Sequence, residues 1–146
     1  MVFFGLGNPG TEYHDSKHNL GFQAIDQFVI THRKEILESR FLPMLYHYWS
    51  CKDRFGNAYL LIKPLTYMNN SGEAYRRAQK QFGYADGESV IIYDDVALPL
   101  GAVRIRARGS DGPITCKITT SFKPGSSLMH SRTFWEYLEK SVGNRT

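Results

Sequence analysis

The stretch VFFGLGNPG at residues 2–10 begins with a short apolar run and ends in turn-forming residues. An apolar run of this length that stops at Gly, Asn and Pro predicts a buried strand leading into a tight turn. Downstream, apolar residues recur at spacings of three and four from Phe22 to Val29. This spacing predicts an amphipathic helix that begins near Asn19 and continues to about Ser39. A buried strand followed by a helix is the usual beginning of an α/β domain.

The chain beyond this first helix continues to alternate strand and helix signals. The expected elements are a hairpin of residues 44–51 with 59–62, a helix over 74–82 stopped by Gly83, a strand over 89–93 and a half-exposed strand over 103–108. This order predicts a single α/β domain in which a mixed β-sheet is flanked by helices.

The C-terminal segment lacks these patterns. Residues 109–133 are rich in Ser, Thr, Gly and Pro and show no sustained apolar periodicity, so they are expected to be loop. Only Phe134–Leu138 is amphipathic enough for one or two helical turns. We therefore divide the chain into an α/β domain at residues 1–112 and an atypical tail, mostly loop, at residues 113–146.

Composition limits the possible classes of protein. The 146 residues are 42% apolar with a net charge of +4, which excludes an intrinsically disordered chain. All of the net charge lies in residues 74–146, which contain 11 basic and 7 acidic side chains. This excess indicates either an anionic partner or a solvated surface. Two distant cysteines, no recognisable leader and no apolar run of about 18 residues favour a cytoplasmic protein without a membrane span.

Three polar residues are predicted to meet at one edge of the sheet. Asn8 follows the first strand, Asn69 begins the second helix and Asp94 ends a later strand, and ligands of α/β proteins bind where parallel strands end. His18 lies in the loop after the first strand, where a nearby carboxylate would make it a general base for water. The alternative is a histidine that packs at a helix start. We interpret the other four histidines as surface or structural.

Two other chemistries are weaker candidates. Asp94 and Asp95 could bind a metal ion, but no third ligand stands at a recognisable spacing. The glycines of residues 5–10 match the dinucleotide-binding pattern GxGxxG. That pattern requires a helix that opens at the glycines and an acidic residue at the end of the next strand. The sequence meets neither requirement, so NAD binding is not expected.

Three longer motifs closely resemble the bacterial peptidyl-tRNA hydrolase family. They are GLGNPGTEY at residues 5–13 with SKHNLGF at 16–22, KPLTYMNNSG at 63–72, and DDVALPLG at 94–101. The resemblance covers residues 1 to about 112. It implies hydrolysis of the ester between a peptide and its tRNA, with no cofactor, by a cytoplasmic enzyme that we expect to be a monomer.

The resemblance also implies roles for individual residues. His18 would activate water, Asp94 would stabilise its basic form, and Asn8 would select peptidyl-tRNA over unblocked aminoacyl-tRNA. Met68 would line the cleft. The residues implied or expected to contact tRNA are Tyr13, Tyr67 and Asn69 at its end, and Arg104, Arg106 and Arg108 at its phosphates.

The resemblance ends after the glycine-rich loop at residue 112. The family has a His-Asn pair where this chain has Ile114 and Thr115. Read one base earlier, codons for Pro113-Ile114-Thr115 can encode His-Asn, so a shifted reading frame is one explanation. The alternative function is therefore a catalytically impaired relative that only binds tRNA or other RNA.

Overall fold

A computed structural model describes residues 1–16, 19–85, 88–94, 97, 99, 103–106 and 116–120 of the chain. The strands are β1 (Val2–Gly5), β2 (Ile36–Leu42), β3 (Tyr46–Lys52), β4 (Ala58–Pro64), β5 (Ser89–Asp94), β6 (Val103–Arg106) and β7 (Cys116–Thr120). The helices are α1 (Leu20–Thr31) and α2 (Ser71–Phe82), with short 3₁₀ turns at Thr11–Tyr13, Arg33–Glu35 and Met68–Asn70.

The described strands form one mixed sheet in the order β2-β3-β4-β1-β5-β7-β6. β1 lies near its centre and is parallel to both β4 and β5. On one side β2, β3 and β4 are antiparallel, and on the other β7 is parallel to β5 and antiparallel to β6. The carboxyl ends of β4, β1 and β5 therefore meet at one edge of the sheet.

Among the residues that the structure describes, one helix covers each face of the sheet. Alternate residues of a strand point to opposite faces, so Phe3 packs beneath α1 while Phe4 packs beneath α2. The core under α1 includes Ile25, Phe28, Trp49, Leu61 and Ile92, and the core under α2 includes Tyr46, Tyr48, Ile62, Ala74 and Ala78. The result is a three-layer α/β/α arrangement with a separate core on each face.

Helix α1 approaches the sheet closely because glycines face each other at the contact. A Cβ atom on Gly21 would lie 2.3 Å from the Leu6 nitrogen and 2.4 Å from the Ile92 oxygen. A Cβ atom on Gly5 would lie 2.1 Å from the Gly21 oxygen. Only hydrogen fits at both positions, and this contact fixes where the N-terminus of α1 lies over β1.

Most predicted elements are confirmed, and the largest error concerns the end of the first helix. The strand at β1, the β3–β4 hairpin, the helix at α2 and the strand at β5 are all present. Gly83 adopts the left-handed conformation expected at a helix C-terminus. However, α1 ends at Thr31, and residues 36–42 form an edge strand instead of continuing the helix to Ser39. Most of β2 is exposed, so it lacks the buried alternation that identifies a strand in sequence.

The tail also differs from the expected loop. Residues 116–120 form β7, which pairs with β5 along its length and separates β5 from β6. Backbone pairing with two neighbours stabilises this strand although its residues lack a long apolar pattern. The predicted contact residue Arg108 and the predicted helical turns at 134–138 lie outside the described residues. In the described part of the chain, neither helix is long and apolar enough to cross a membrane.

Candidate active site

Asn8 is held in place by the side chain of Asn19. The backbone N–H of Asn8 donates to Asn19 Oδ1 at 2.7 Å, and Asn19 Nδ2 donates to the Asn8 backbone oxygen at 2.9 Å. Asn19 is only 4% exposed, and it does not cap α1 with its side chain. The residue before α1 therefore joins the helix to the loop after β1 instead of acting as a cap.

The side-chain amide of Asn8 is oriented by a second contact. The backbone N–H of Met68 donates to Asn8 Oδ1 at 2.8 Å. Because Oδ1 accepts this bond, Nδ2 is the group of the amide that is left to donate. Asn8 thus presents a fixed hydrogen-bond donor, which suits a carbonyl oxygen of a ligand.

Asn8 also lines an open groove with three consecutive residues of the turn before α2. This groove, of about 610 Å³, is bounded by Asn8, Tyr67, Met68 and Asn69, and we call it the tyrosine groove. Tyr67 has φ 64° and ψ 155°, a combination that is otherwise almost restricted to glycine. Its ring is about half exposed. Strained backbone of this kind is concentrated at functional sites, which favours a binding role for the groove.

A second cavity adjoins Asn8 on the α1 face of the sheet. It has a volume of about 240 Å³, and we call it the Phe41 cavity. Its lining residues are Asn8, Pro9, Gly10, His14, Asn19, Phe22, Gln23, Asp26, Phe41, His47, Lys63 and Leu65. Lys63 Nζ lies 2.7 Å from Asp26 Oδ1 and 4.8 Å from the centre of the Phe22 ring.

His47 forms one wall of the Phe41 cavity. It stacks on Trp49 with ring centroids 3.8 Å apart, and its Nε2 lies 2.9 Å from Ser39 Oγ. Burial, helped by the nearby Lys63 cation, lowers the pKa of His47 below its usual range. The imidazole is therefore uncharged near neutral pH.

The two residues predicted to be catalytic are Asp94 and His18, and the structure describes only Asp94. Asp94 is the last residue of β5, half-buried, on the strand next to β1. Two residues before Asp94, the backbone oxygen of Ile92 accepts a hydrogen bond from the N–H of Leu6. This bond joins β5 to the residue that follows β1. Asp94 thus lies at the same sheet edge as the loop that carries Asn8. His18 lies outside the described residues.

The predicted tRNA contacts are spread over the molecule. Tyr67, Met68 and Asn69 share the tyrosine groove with Asn8. Tyr13 ends a 3₁₀ turn, is half-buried and lines neither the tyrosine groove nor the Phe41 cavity. Arg104 is exposed on edge strand β6, which two strands separate from β1. Arg106 belongs to the same strand, and only its backbone is described.

Several residues of the site are missing from the sequence-based prediction. Asn19 was expected only to precede a helix, and His47 to be surface or structural. Asp26 follows the buried Phe22 by four positions, so it lies on the sheet-facing side of α1. An acidic residue on the inward face of a predicted helix could have marked Asp26 as a candidate site residue. Its partner Lys63 could not be found without the strand register.

The polar groups that line the site in the described part of the chain include asparagine amides and the Lys63–Asp26 ion pair. Within the described ranges, no three His, Cys, Asp or Glu side chains cluster so that they could hold a metal ion. The chain is thus an α/β/α protein whose ligand cleft lies at the carboxyl ends of parallel strands and is lined by asparagine amides.

A family model for peptidyl-tRNA hydrolase matches residues 2–117. The chain therefore belongs to the peptidyl-tRNA hydrolase family.

Individual relatives agree with this assignment. The chain is 42% identical over 113 residues to a peptidyl-tRNA hydrolase of Kosmotoga olearia, and 38% identical over 112 residues to that of Bacillus subtilis. Each match covers 77% of this chain and 57% of the relative, so the chain spans little more than half the length of these relatives. The crystal structure of peptidyl-tRNA hydrolase from Acinetobacter baumannii has the same fold, with a TM-score of 0.73 and 24% identity over 97% of this chain and 74% of that one.

Proposed function

We propose that this protein hydrolyses the ester bond between the peptide and the tRNA in peptidyl-tRNA. The proposal applies the activity named for its relatives to a chain that spans only part of their length. The reaction takes place in the cytoplasm, where the substrate forms, and requires no cofactor. The protein acts as a monomer.

In the proposed reaction, His18 accepts a proton from a water molecule while the water oxygen attacks the ester carbonyl carbon. Asp94 stabilises the protonated imidazole that results. The tetrahedral intermediate then collapses, and the bond from the carbonyl carbon to the ribose oxygen breaks. The proton passes from His18 to that oxygen. The products are a tRNA with an intact terminal hydroxyl and a peptide with a free carboxylic acid, which then loses its proton to solvent and becomes the carboxylate.

The observation that carries this proposal is the fixed orientation of Asn8. Its Oδ1 accepts from Met68 N–H, and its backbone is bound on both sides by Asn19. The amide Nδ2 can donate to the carbonyl of the peptide bond that distinguishes a peptidyl group from a free amino acid. An unblocked aminoacyl-tRNA has an ammonium there and no carbonyl to accept this bond.

In the same proposal, the tyrosine groove binds the tRNA end. Tyr67 offers an exposed ring for base stacking, and Asn69 an exposed amide. Tyr13 adds a contact near the end of the tRNA. Arg104 and Arg106 bind phosphates further along the acceptor arm, since β6 is the edge strand, roughly 14 Å from β1 at the usual strand spacing.

The test is hydrolysis of N-acetyl-phenylalanyl-tRNA by this 146-residue chain. We expect turnover, a loss of at least about 100-fold in His18→Ala, and a smaller loss in Asn8→Ala. His32→Ala is the matched control, because His32 follows the C-terminal end of α1 and lines neither the tyrosine groove nor the Phe41 cavity. Unchanged turnover in His18→Ala would remove His18 from the role of general base.

One sequence observation favours a second function. Ile114 and Thr115 replace the family's His-Asn pair, so the chain could bind tRNA without hydrolysing it. A folded protein with no turnover but with salt-sensitive tRNA binding, weakened by changing Arg104 and Arg106 to Ala, would support this alternative. NAD binding, which a dinucleotide-dependent oxidoreductase requires, is expected to be absent.

A further inference from the structure

One wall of the Phe41 cavity consists of side chains that the pairing of β2, β3 and β4 places next to each other. Phe41 on β2 is paired with His47 on β3, and His47 is paired with Lys63 on β4. Paired residues share a face, so these side chains form a row across three strands on the α1 side. Asp26 of α1 closes the row through its ion pair with Lys63. The cavity is thus built between α1 and three strands, and Asn8 is one of its lining residues.

The cavity is close to electrically neutral. Lys63 is bound to both carboxylate oxygens of Asp26, at 2.7 and 2.8 Å, so these two charges offset each other. His47 is uncharged near neutral pH because burial lowers its pKa. The remaining walls include the apolar side chains of Phe22, Phe41 and Leu65. A neutral, partly apolar cavity is poorly suited to phosphate, which excess cationic side chains bind.

The size of the cavity favours a small group. A volume of about 240 Å³ lies below the roughly 300–1,000 Å³ of pockets for drug-sized ligands. The cavity has room for one side chain rather than a folded stretch of peptide. Phe41 is 60% exposed, so its ring is accessible to a group bound in the cavity.

Asn8 lines both the tyrosine groove and the Phe41 cavity, so the two adjoin each other at this residue. Under the proposed function, Asn8 binds the peptide carbonyl next to the ester, and the tyrosine groove takes the tRNA end. We propose that the Phe41 cavity is the subsite for the side chain of the amino acid esterified to the tRNA, and that it prefers uncharged, apolar side chains. This inference rests on the proposed function and assigns the acyl side of the substrate.

The experiment compares two substrates that differ only in this side chain. The kcat/KM for N-acetyl-phenylalanyl-tRNA and for N-acetyl-glycyl-tRNA is measured in wild type, Phe41→Ala and Phe55→Ala. Phe55 is the matched control, because it is 66% exposed, lies in the β3–β4 turn and contacts Arg54. We expect Phe41→Ala to reduce the phenylalanyl-to-glycyl ratio about 10-fold, as loss of apolar contact in a specificity pocket does. Phe55→Ala should leave the ratio unchanged.

The outcomes separate the two proposals. Equal losses for both substrates in Phe41→Ala, or no change in either, would overturn the subsite while leaving the hydrolase activity standing. Binding of uncharged tRNA weakened by Phe41→Ala would instead assign the cavity to the RNA end. A wild-type protein that hydrolyses neither substrate would contradict the proposed function and the subsite together.

A charge change gives a second, independent readout. Asp26→Asn leaves the Lys63 cation in the cavity without its carboxylate partner. Asp26 is about half exposed, so the variant is expected to fold. We expect the kcat/KM for N-acetyl-aspartyl-tRNA, relative to N-acetyl-phenylalanyl-tRNA, to rise severalfold in this variant. An unchanged ratio would contradict side-chain binding next to Lys63.

Discussion

Helices α1 and α2 cover opposite faces of one sheet but contact it by different means. α1 meets the sheet backbone to backbone, through Gly21 against Leu6 and Ile92. α2 meets it through the buried methyl groups of Ala74 and Ala78 and a layer of aromatic rings. Direct backbone contact fixes the position of α1, and with it the Asn19 side chain that holds Asn8. Side-chain packing on the α2 face can adjust to small changes.

The largest expected effect tests this difference with one substitution in each helix. Gly21→Ala places a methyl group within 2.4 Å of backbone atoms of Leu6 and Ile92, so α1 must move. Gly72→Ala, near the start of α2, meets nothing within 4 Å. We expect Gly21→Ala to lose more than about 3 kcal/mol of unfolding free energy and Gly72→Ala to gain about 0.5–1 kcal/mol. Urea denaturation measures both.

Equal stability of the two glycine variants would show that α1 can shift as readily as α2. The comparison between the helices would then fail.

A smaller effect is expected at Tyr67, where the chain enters α2. Its φ of 64° is strained for a residue with a side chain, and only glycine adopts it freely. Tyr67→Gly and Tyr67→Ala both remove the ring, but only the first relieves the backbone. We expect Tyr67→Gly to be more stable than Tyr67→Ala by about 1 kcal/mol, while both weaken tRNA binding. An alanine variant at least as stable as the glycine variant would contradict strain at this residue.

The smallest effect concerns pH on the α1 face. Burial and Lys63 lower the pKa of His47 in the folded protein, so the unfolded chain binds this proton more readily. The resulting stability is present above the unfolded pKa of about 6.5 and is lost as the pH falls through it towards the lower folded value. We expect the unfolding free energy of wild type to fall more steeply between about pH 7 and about pH 5 than that of His47→Gln. Parallel curves would contradict a lowered pKa.

The elements of the fold that were predictable from sequence are those whose burial follows a simple period. β1, the β3–β4 hairpin, α2 and β5 each have an apolar pattern with clear boundary residues. β2 was missed because it is an edge strand on which the apolar residues Leu37 and Phe41 are exposed. Its sequence therefore lacks the alternation of a half-buried strand and could be interpreted as a continuation of α1. β7 was missed because its pairing with β5 and β6 is a long-range property that composition does not reveal.

The candidate site was predictable in part. Asn8 and Asn69 were predicted to lie close together because ligands of α/β proteins bind where parallel strands end. Both residues line the tyrosine groove. The role of Asn19 was not predictable from spacing, since an asparagine before a helix usually caps it. The Phe41 cavity depends on register between β2, β3 and β4 and on the reach of α1, which are set by tertiary packing.

The most direct test of this account measures substrate discrimination in Asn19→Ala. The matched control is Asn70→Ala, since Asn70 precedes α2 as Asn19 precedes α1 and makes no side-chain cap bond. The measurement is the ratio of kcat/KM for N-acetyl-phenylalanyl-tRNA to that for phenylalanyl-tRNA. We expect this ratio to fall about 10-fold in Asn19→Ala, because Asn8 loses the bonds that position it, and to remain at the wild-type value in Asn70→Ala. The same ratio in wild type and Asn19→Ala would contradict the claim that Asn19 positions Asn8 for recognition of the peptide.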